Sequence, residues 1–330
     1  MLSPNTRATT ESDLHQMPEE QQIGVMLMTY GSPATLDDMP GYLRNVRGGH
    51  PADDDLITEF RRRYELIGGS PLLSITREQA AALTAELTAR YPNGPRFKVG
   101  VGMRFAPPYI RDALPEIAEG SQQIVGIIMS PQYSPILMRG YVETLRDAVA
   151  DRYGDALPVT ISEDWHMQPA FLDAVAERVR EALATFPARE RASIPVLLTA
   201  HSMPKRVIAN EPDYINHLKE TATAVAERAG VTPDQWQFCY QSAGHTPEEW
   251  LKPDFADLMP ELHAAGKRAV LIAPVQFLAD HLEILYDIEI GAREQAERYG
   301  IEFARTQSLN TAPRFIQALA DVVEATLHRH

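Results

Sequence analysis

The 330-residue chain has a single cysteine, Cys239. No intramolecular disulfide is open to it, nor is a zinc or iron–sulfur site built from several cysteines. It has no run of 18 uninterrupted apolar residues, so no segment offers a membrane-spanning helix. Positive charge is in short supply: 31 Lys and Arg face 45 Asp and Glu, for a net charge of −14. Such a chain repels phosphate backbones and anionic lipid, which argues against nucleic acid as its partner. A local basic pocket inside the acidic envelope still leaves room for an anionic ligand. Also missing are a P-loop, a GxGxxG after a strand, HExxH and GxSxG. Their absence points away from nucleotide hydrolysis, dinucleotide-dependent redox chemistry, zinc proteolysis and α/β-hydrolase chemistry. The first 22 residues contain no apolar stretch and read as a disordered leader, not a secretory signal. A reduced, cytoplasmic protein is expected.

What remains is an ordinary globular balance, 44% hydrophobic and 23% charged. The length suits two domains or one large α/β unit. Short apolar runs at residues 23–28, 98–101, 124–129, 195–199 and 269–273 lack clean alternation, as strands covered on both faces do. Helical patterns lie between them, over 74–90, 170–186 and 213–229. Alternating strand and helix predicts an α/β fold with parallel sheets flanked by helices, and ligands at the C-terminal ends of the strands. MTYGSP (28–33) is echoed by TAHSMP (199–204), and IIMSPQYS (127–134) by LIAPVQFL (271–278), in the same order. We read two similar halves joined near 151–162. The expected division is a leader at 1–22, a first domain at 23–155 and a second at 156–330, with the last helix free to pack back on the first.

Four features can carry chemistry. His201 stands where a strand gives way to a loop, as a general base would, although a histidine hydrogen-bonded into that loop fits equally. In DHLEILYDIEI (280–290), a helix would place Glu283 and Asp287 on one face, with Asp280 and His281 at its start. That ladder suits a divalent cation, or else a solvated acidic face. Tyr30, ending the first strand, can hydrogen-bond a ligand, coordinate a metal axially, or simply cap the core. Arg44, Arg47, Arg61, Arg62, Arg63 and Arg104 crowd the first third of the chain. Their guanidinium forks suit ligand carboxylates, though Arg61–63 also reads as a wet helix face.

Taken together, the motifs resemble the ferrochelatases, enzymes that insert Fe²⁺ into a porphyrin. The matching segments are MTYGSP (28–33), RRRYELIGGSPL (61–72), VGVGMRFAPPYI (99–110), SPQYS (130–134), LLTAHSMP (197–204), YQSAGHTPEEWLKP (240–253) and PVQFLADHLEILYDIE (274–289). The resemblance implies two Rossmann-like domains with a porphyrin cleft between them. It implies His201 and Glu283 as the catalytic pair, and His201, Glu283, Tyr30 and Asp287 as metal-handling residues. Tyr30 matches the iron-coordinating tyrosine of the coproporphyrin branch, where protoporphyrin enzymes often carry methionine. Arg47, Arg63, Tyr64, Ser70 and Tyr141 match that branch's substrate-binding positions. The helix at 72–90 lacks the greasy lip of membrane-docking members.

The implied function is Fe²⁺ insertion into coproporphyrin III, with Fe²⁺ as substrate, no organic cofactor, no iron–sulfur cluster and no ATP. Protoporphyrin IX as substrate, a related cobaltochelatase and a non-catalytic porphyrin or haem carrier are the alternatives. A monomer is expected, in transient contact with the next enzyme of haem synthesis. Two positions depart from the family pattern. Phe105 replaces a histidine that some relatives use for an outer metal, and Gly291 replaces a third acidic rung, with Glu289 nearby instead.

Overall fold

The computed structural model describes residues 14, 18, 21–209, 211–244 and 248–328. Most of the leader expected over residues 1–22 lies outside these, as do His245–Pro247 of the 240–253 motif. Leu14, which is described, is fully buried in the main core.

Among the described residues, eight strands form two four-stranded parallel sheets. The first holds β1 (Gln22–Thr29), β2 (Arg96–Met103), β3 (Gln123–Ile128) and β4 (Val159–Ile161) in the order β2-β1-β3-β4. The second holds β5 (Val196–His201), β6 (Trp236–Gln241), β7 (Ala269–Pro274) and β8 (Glu302–Arg305) in the order β6-β5-β7-β8. The two orders are the same, so the echoed motifs fall at equivalent places. The apolar runs expected as strands are β1, β2, β3, β5 and β7, each adjusted by one or two residues at its ends. β1 shows why they were legible: six consecutive residues, Ile23 to Met28, are buried, as in a strand covered on both faces. β4 pairs with β3, so the first sheet continues past the boundary expected between residues 155 and 156.

The helices are α1 (Met39–Val46), α2 (Asp54–Leu66), α3 (Leu72–Arg90), α4 (Ile110–Ala118), α5 (Pro135–Tyr153), α6 (Pro169–Ala184), α7 (Lys205–Ile208), α8 (Pro212–Ala229) and α9 (Phe255–Ala264). A π-helix, Glu283–Ala292, then leads into α10 (Arg293–Arg298), and α11 (Pro313–Leu327) closes the chain. α11 packs against β3 and β4 of the first sheet as well as α3 and α6. Its apolar face carries Phe315, Leu319, Val322 and Val323 into a core shared by both sheets. Arg90 at the end of α3 ties the helices together, 2.6 Å from Asp321 and 3.0 Å from Glu324.

α1 and α2 stand apart from the sheets on a small core of Met39, Leu43 and Tyr64. Leu282, just before the π-helix, packs against that core. This contact joins the first half of the chain to the segment that carries Glu283.

Candidate active site

His201 is the last residue of β5, paired in register with Gln241 of β6. Its backbone N–H donates to Gln276 Oε1 at 2.9 Å, and Gln276 Nε2 donates to the hydroxyl of buried Tyr214 at 2.6 Å. The ring is fixed as well. Nδ1 bonds the Ser202 carbonyl, which only accepts, so Nδ1 carries a proton. Nε2 lies 3.4 Å from Glu283 Oε1. The side chains are 25% and 32% exposed, so the pair is sheltered yet reachable.

Glu283 opens the π-helix, a conformation often found at functional sites. Its second oxygen is 3.6 Å from His281 Nε2, which places the carboxylate between two imidazoles. Phe277 stands edge-on to both rings, with centroid distances of 6.5 Å to His201 and 4.6 Å to His281. Burial alone would push the His201 pKa down, but the Glu283 carboxylate overrides it and lifts it to about 9. Burial would likewise push Glu283 up, but the His201 charge holds it well below the usual carboxylate range. At neutral pH the pair is an imidazolium beside a carboxylate. Asp287 behaves oppositely. Burial raises its pKa and the Glu283 charge adds to the rise, against lowering by Ser242, Arg63 and His201. Of the expected ladder, Glu283 and Asp287 are therefore electrostatically coupled, with their pKa values shifted in opposite directions.

Tyr30 follows β1 directly, the position equivalent to His201 in the other half. Its ring is 44% exposed and packs on Phe105 with centroids 4.6 Å apart. The surrounding protein and the Glu283 charge raise the phenol pKa to about 12, against a lowering by Arg104. The phenol is thus neutral at physiological pH. Arg104 lies between the Phe105 and Tyr141 rings, 4.7 and 5.1 Å from their centroids, and donates to the Leu137 carbonyl at 3.0 Å. Gly140 makes this possible: a Cβ there would sit 2.2 Å from the guanidinium. Tyr141 is 7% exposed, with a pKa raised by burial against Arg104, and Tyr64 is 3% exposed. Both are embedded in the wall. Burial also raises the Tyr64 pKa, against a hydrogen bond from Tyr42 and in the same direction as the Glu283 charge.

The expected arginines separate. Arg61 donates to the Leu36 carbonyl at 3.1 Å, and Arg62 donates to the Tyr286 hydroxyl at 2.5 Å. Arg63 pairs with Glu59 at 2.8 Å and lies over the Tyr286 ring at 5.1 Å, facing the π-helix. So the 61–63 run is not a merely wet face. Arg47 ends α1 exposed, with no side-chain partner among the described residues. Ser70 is half-buried and accepts the Leu72 N–H at 3.4 Å. Neither bonds the His201–Glu283 group.

Two readings of the acidic segment change. Asp280 is no free ligand, because Ser308 and Asn310 donate to it at 2.8 and 2.9 Å and Arg305 lies 3.6 Å away. Glu289 does not substitute for the missing rung, since Arg305 reaches it at 2.6 Å and Arg293 bonds it as well. At Gly291 a Cβ would meet only the Tyr286 carbonyl at 3.6 Å, so space for a side chain exists there. Phe105, where an outer metal ligand was doubted, instead forms the wall against Tyr30. Glu211 was not anticipated. It is 8% exposed, accepts the Ile136 N–H at 2.8 Å and bonds Ser134, clamping the start of α5 from the second half. Only its place before the proline that opens α8 could have drawn attention to it.

The ferrochelatase family model matches residues 22–327. The ferrochelatase of Deinococcus radiodurans is 37% identical over 310 residues, covering 93% of this chain and 97% of that protein. The coproporphyrin III ferrochelatase of Geobacillus kaustophilus is 38% identical over 303 residues, covering 91% and 94%. In fold, the chain is similar to the sirohydrochlorin chelatase SirB of Bacillus subtilis subspecies spizizenii, solved with cobalt, at a TM-score of 0.56 and 12% identity over 93% of this chain and 95% of that one. Two Rossmann-like halves with matching sheet order, and a family match over nearly the whole length, have one reading: the chain belongs to the ferrochelatase family of metal chelatases.

Proposed function

We propose that the protein inserts Fe²⁺ into coproporphyrin III, forming Fe-coproporphyrin, in the cytoplasm and without ATP or an organic cofactor. The reaction replaces two pyrrole N–H protons by one Fe²⁺, so two protons must leave the macrocycle. The observation that carries the reading is the His201–Glu283 pair at the end of β5, with Tyr30 at the equivalent end of β1.

In the resting pair His201 is already protonated and cannot serve as a base. Fe²⁺ drawn to the Glu283 carboxylate offsets the negative charge that keeps that proton in place. His201 then releases it, and Nε2 becomes free to accept a pyrrole proton. Asp287, whose carboxyl holds a proton more readily than usual, is the next acceptor along the π-helix. Glu289 is engaged by two arginines, so the path turns to solvent after Asp287. Tyr30 is the candidate axial ligand of the iron product; bound to the metal it would be a phenolate, its hydroxyl proton passing to solvent.

The choice of coproporphyrin rests on Tyr30, on exposed Arg47, which has no side-chain partner among the described residues, and on Arg63 facing the π-helix. Four propionates call for more cationic groups than the two of protoporphyrin. Relatives named coproporphyrin III ferrochelatases support the same choice. The deciding experiment is anaerobic Fe²⁺ insertion into coproporphyrin III and protoporphyrin IX in parallel. Faster turnover of the former is expected. Equal or better turnover of protoporphyrin overturns the substrate assignment, and tight binding with no insertion of any metal makes the protein a carrier.

A further inference from the structure

A second group of potential metal ligands lies away from His201. Asp164 and His166 belong to the loop between β4 and α6, and His217 to α8. One ligand atom from each lies within 4.8 Å of the other two. The imidazoles stack, with centroids 4.0 Å apart and planes at 19°. His166 is 4% exposed, and its Nε2 is 2.9 Å from Glu220 Oε2. A carboxylate accepts, so Nε2 donates its proton to Glu220, and Nδ1 is the nitrogen left for a further partner. This Nδ1 is buried and has no hydrogen-bond partner among the described residues; Asp164 Oδ2 is 3.5 Å away without hydrogen-bond geometry. His217 Nδ1 is buried without a partner as well.

Leaving a buried polar nitrogen unsatisfied is destabilising, because it gives up its water without gaining a partner. Two side by side, next to a carboxylate, form an environment that a cation relieves. Glu220 behind His166 supplies the arrangement that orients metal-binding histidines, a carboxylate on the far ring nitrogen.

We propose that Asp164, His166 and His217 bind a first-row divalent transition ion through the two Nδ1 atoms and the Asp164 carboxylate. Imidazole ligands favour Zn²⁺, Fe²⁺ or Co²⁺ over Mg²⁺ or Ca²⁺. Three protein ligands leave one position for water, and Asp164, 46% exposed, opens the route from solvent. The ion would join the two halves of the fold. The loop is fastened to the first half by Trp165, whose backbone and indole N–H groups donate to the Pro131 and Ile128 carbonyls at 3.0 and 3.2 Å. α8 packs on β5 and β6 of the second.

The test is anaerobic Co²⁺ titration of the full chain, read by visible d–d absorption and by thermal unfolding. A His201→Ala/Glu283→Gln background removes two of the other metal-handling groups, the pair at the end of β5. One equivalent of Co²⁺ is expected to bind there and raise Tm, with Mg²⁺ failing to compete. His217→Gln should abolish the bands. Glu220→Gln, an exposed change that leaves all three ligands in place, should weaken affinity about 10- to 100-fold. No Co²⁺ binding in the double-variant background overturns the site, as does binding that neither His217→Gln nor Glu220→Gln weakens. Displacement by Mg²⁺ overturns the choice of metal class.

Discussion

Tyr30, the residue after β1, and His201, the last residue of β5, hold the same position in two sheets of identical strand order. Each ends the strand that lies second in its sheet, where a parallel α/β fold presents side chains to ligands. The duplicated framework thus supplies two unlike groups, a neutral phenol and an imidazolium, both under the field of Glu283.

The pair predicts a specific pH response. His201 titrates near 9 because Glu283 holds its proton, so kcat/KM for Fe²⁺ insertion should rise from neutral pH and level off near that value. Glu283→Gln removes the negative charge that lifts the His201 pKa, which therefore falls, with burial then opposed only by the Ser202 carbonyl and Asp287. The rising limb should then move to lower pH in whatever activity survives. A midpoint that stays put in the variant refutes the coupling.

His201→Ala should reduce insertion by about 10²- to 10⁴-fold, the usual worth of a positioned acid–base group. Porphyrin binding, followed by fluorescence quenching, should persist, because the ring's backbone anchors to Gln276 and Gln241 are unchanged. A near-normal rate would make His201 structural.

Tyr30→Phe removes one hydroxyl from an exposed ring and keeps its packing on Phe105. Insertion should continue while the absorption spectrum of the bound iron product changes. An identical spectrum removes Tyr30 from the axial role.

Arg47 and Arg63 should differ when each is changed to Ala. Arg47 has no side-chain partner among the described residues, so its loss should alter folding stability by no more than about 0.5 kcal/mol. It should weaken coproporphyrin binding by about 1.5–3 kcal/mol, the worth of a hydrogen bond between charged groups, and protoporphyrin binding less. Arg63 also holds Glu59 and Tyr286, so its loss should lower Tm in addition. Equal effects of Arg47→Ala on the two porphyrins would exclude it as a propionate contact.

Asp280→Ala should cost about 1–3 kcal/mol in chemical denaturation, because it strands Ser308, Asn310 and Arg305. A neutral result would return Asp280 to the candidate metal ligands.

The strands missed in the sequence are β4, β6 and β8, and each is an edge of its sheet. An edge strand has one neighbour and less of its surface covered, so it needs no unbroken apolar run. β6, WQFCYQ, buries only Cys239, Tyr240 and Gln241, and β8, EFAR, buries only Phe303. The interior strands β1, β3, β5 and β7 had to be apolar throughout, and they were legible for that reason. In the acidic segment, Asp280, His281, Glu283, Asp287 and Glu289 looked interchangeable as ligand-type residues. The partners that tell three of them apart lie far off in the chain: Ser308 and Asn310 hold Asp280, Arg305 holds Glu289 and His201 faces Glu283, separations that no local pattern reports.

Residue types and their order determined the α/β alternation, the two similar halves and membership of the ferrochelatase family, because burial in parallel sheets and motif order are written along the chain. Where the protons reside was decided by tertiary structure. His201 is cationic because Glu283 is folded to 3.4 Å from it, while Asp287 resists ionisation because burial and the same carboxylate act together. Likewise, only folding separates Arg47 from Arg63 and brings His166 against His217, since electrostatic and coordination energies depend on distance and solvent access rather than on sequence.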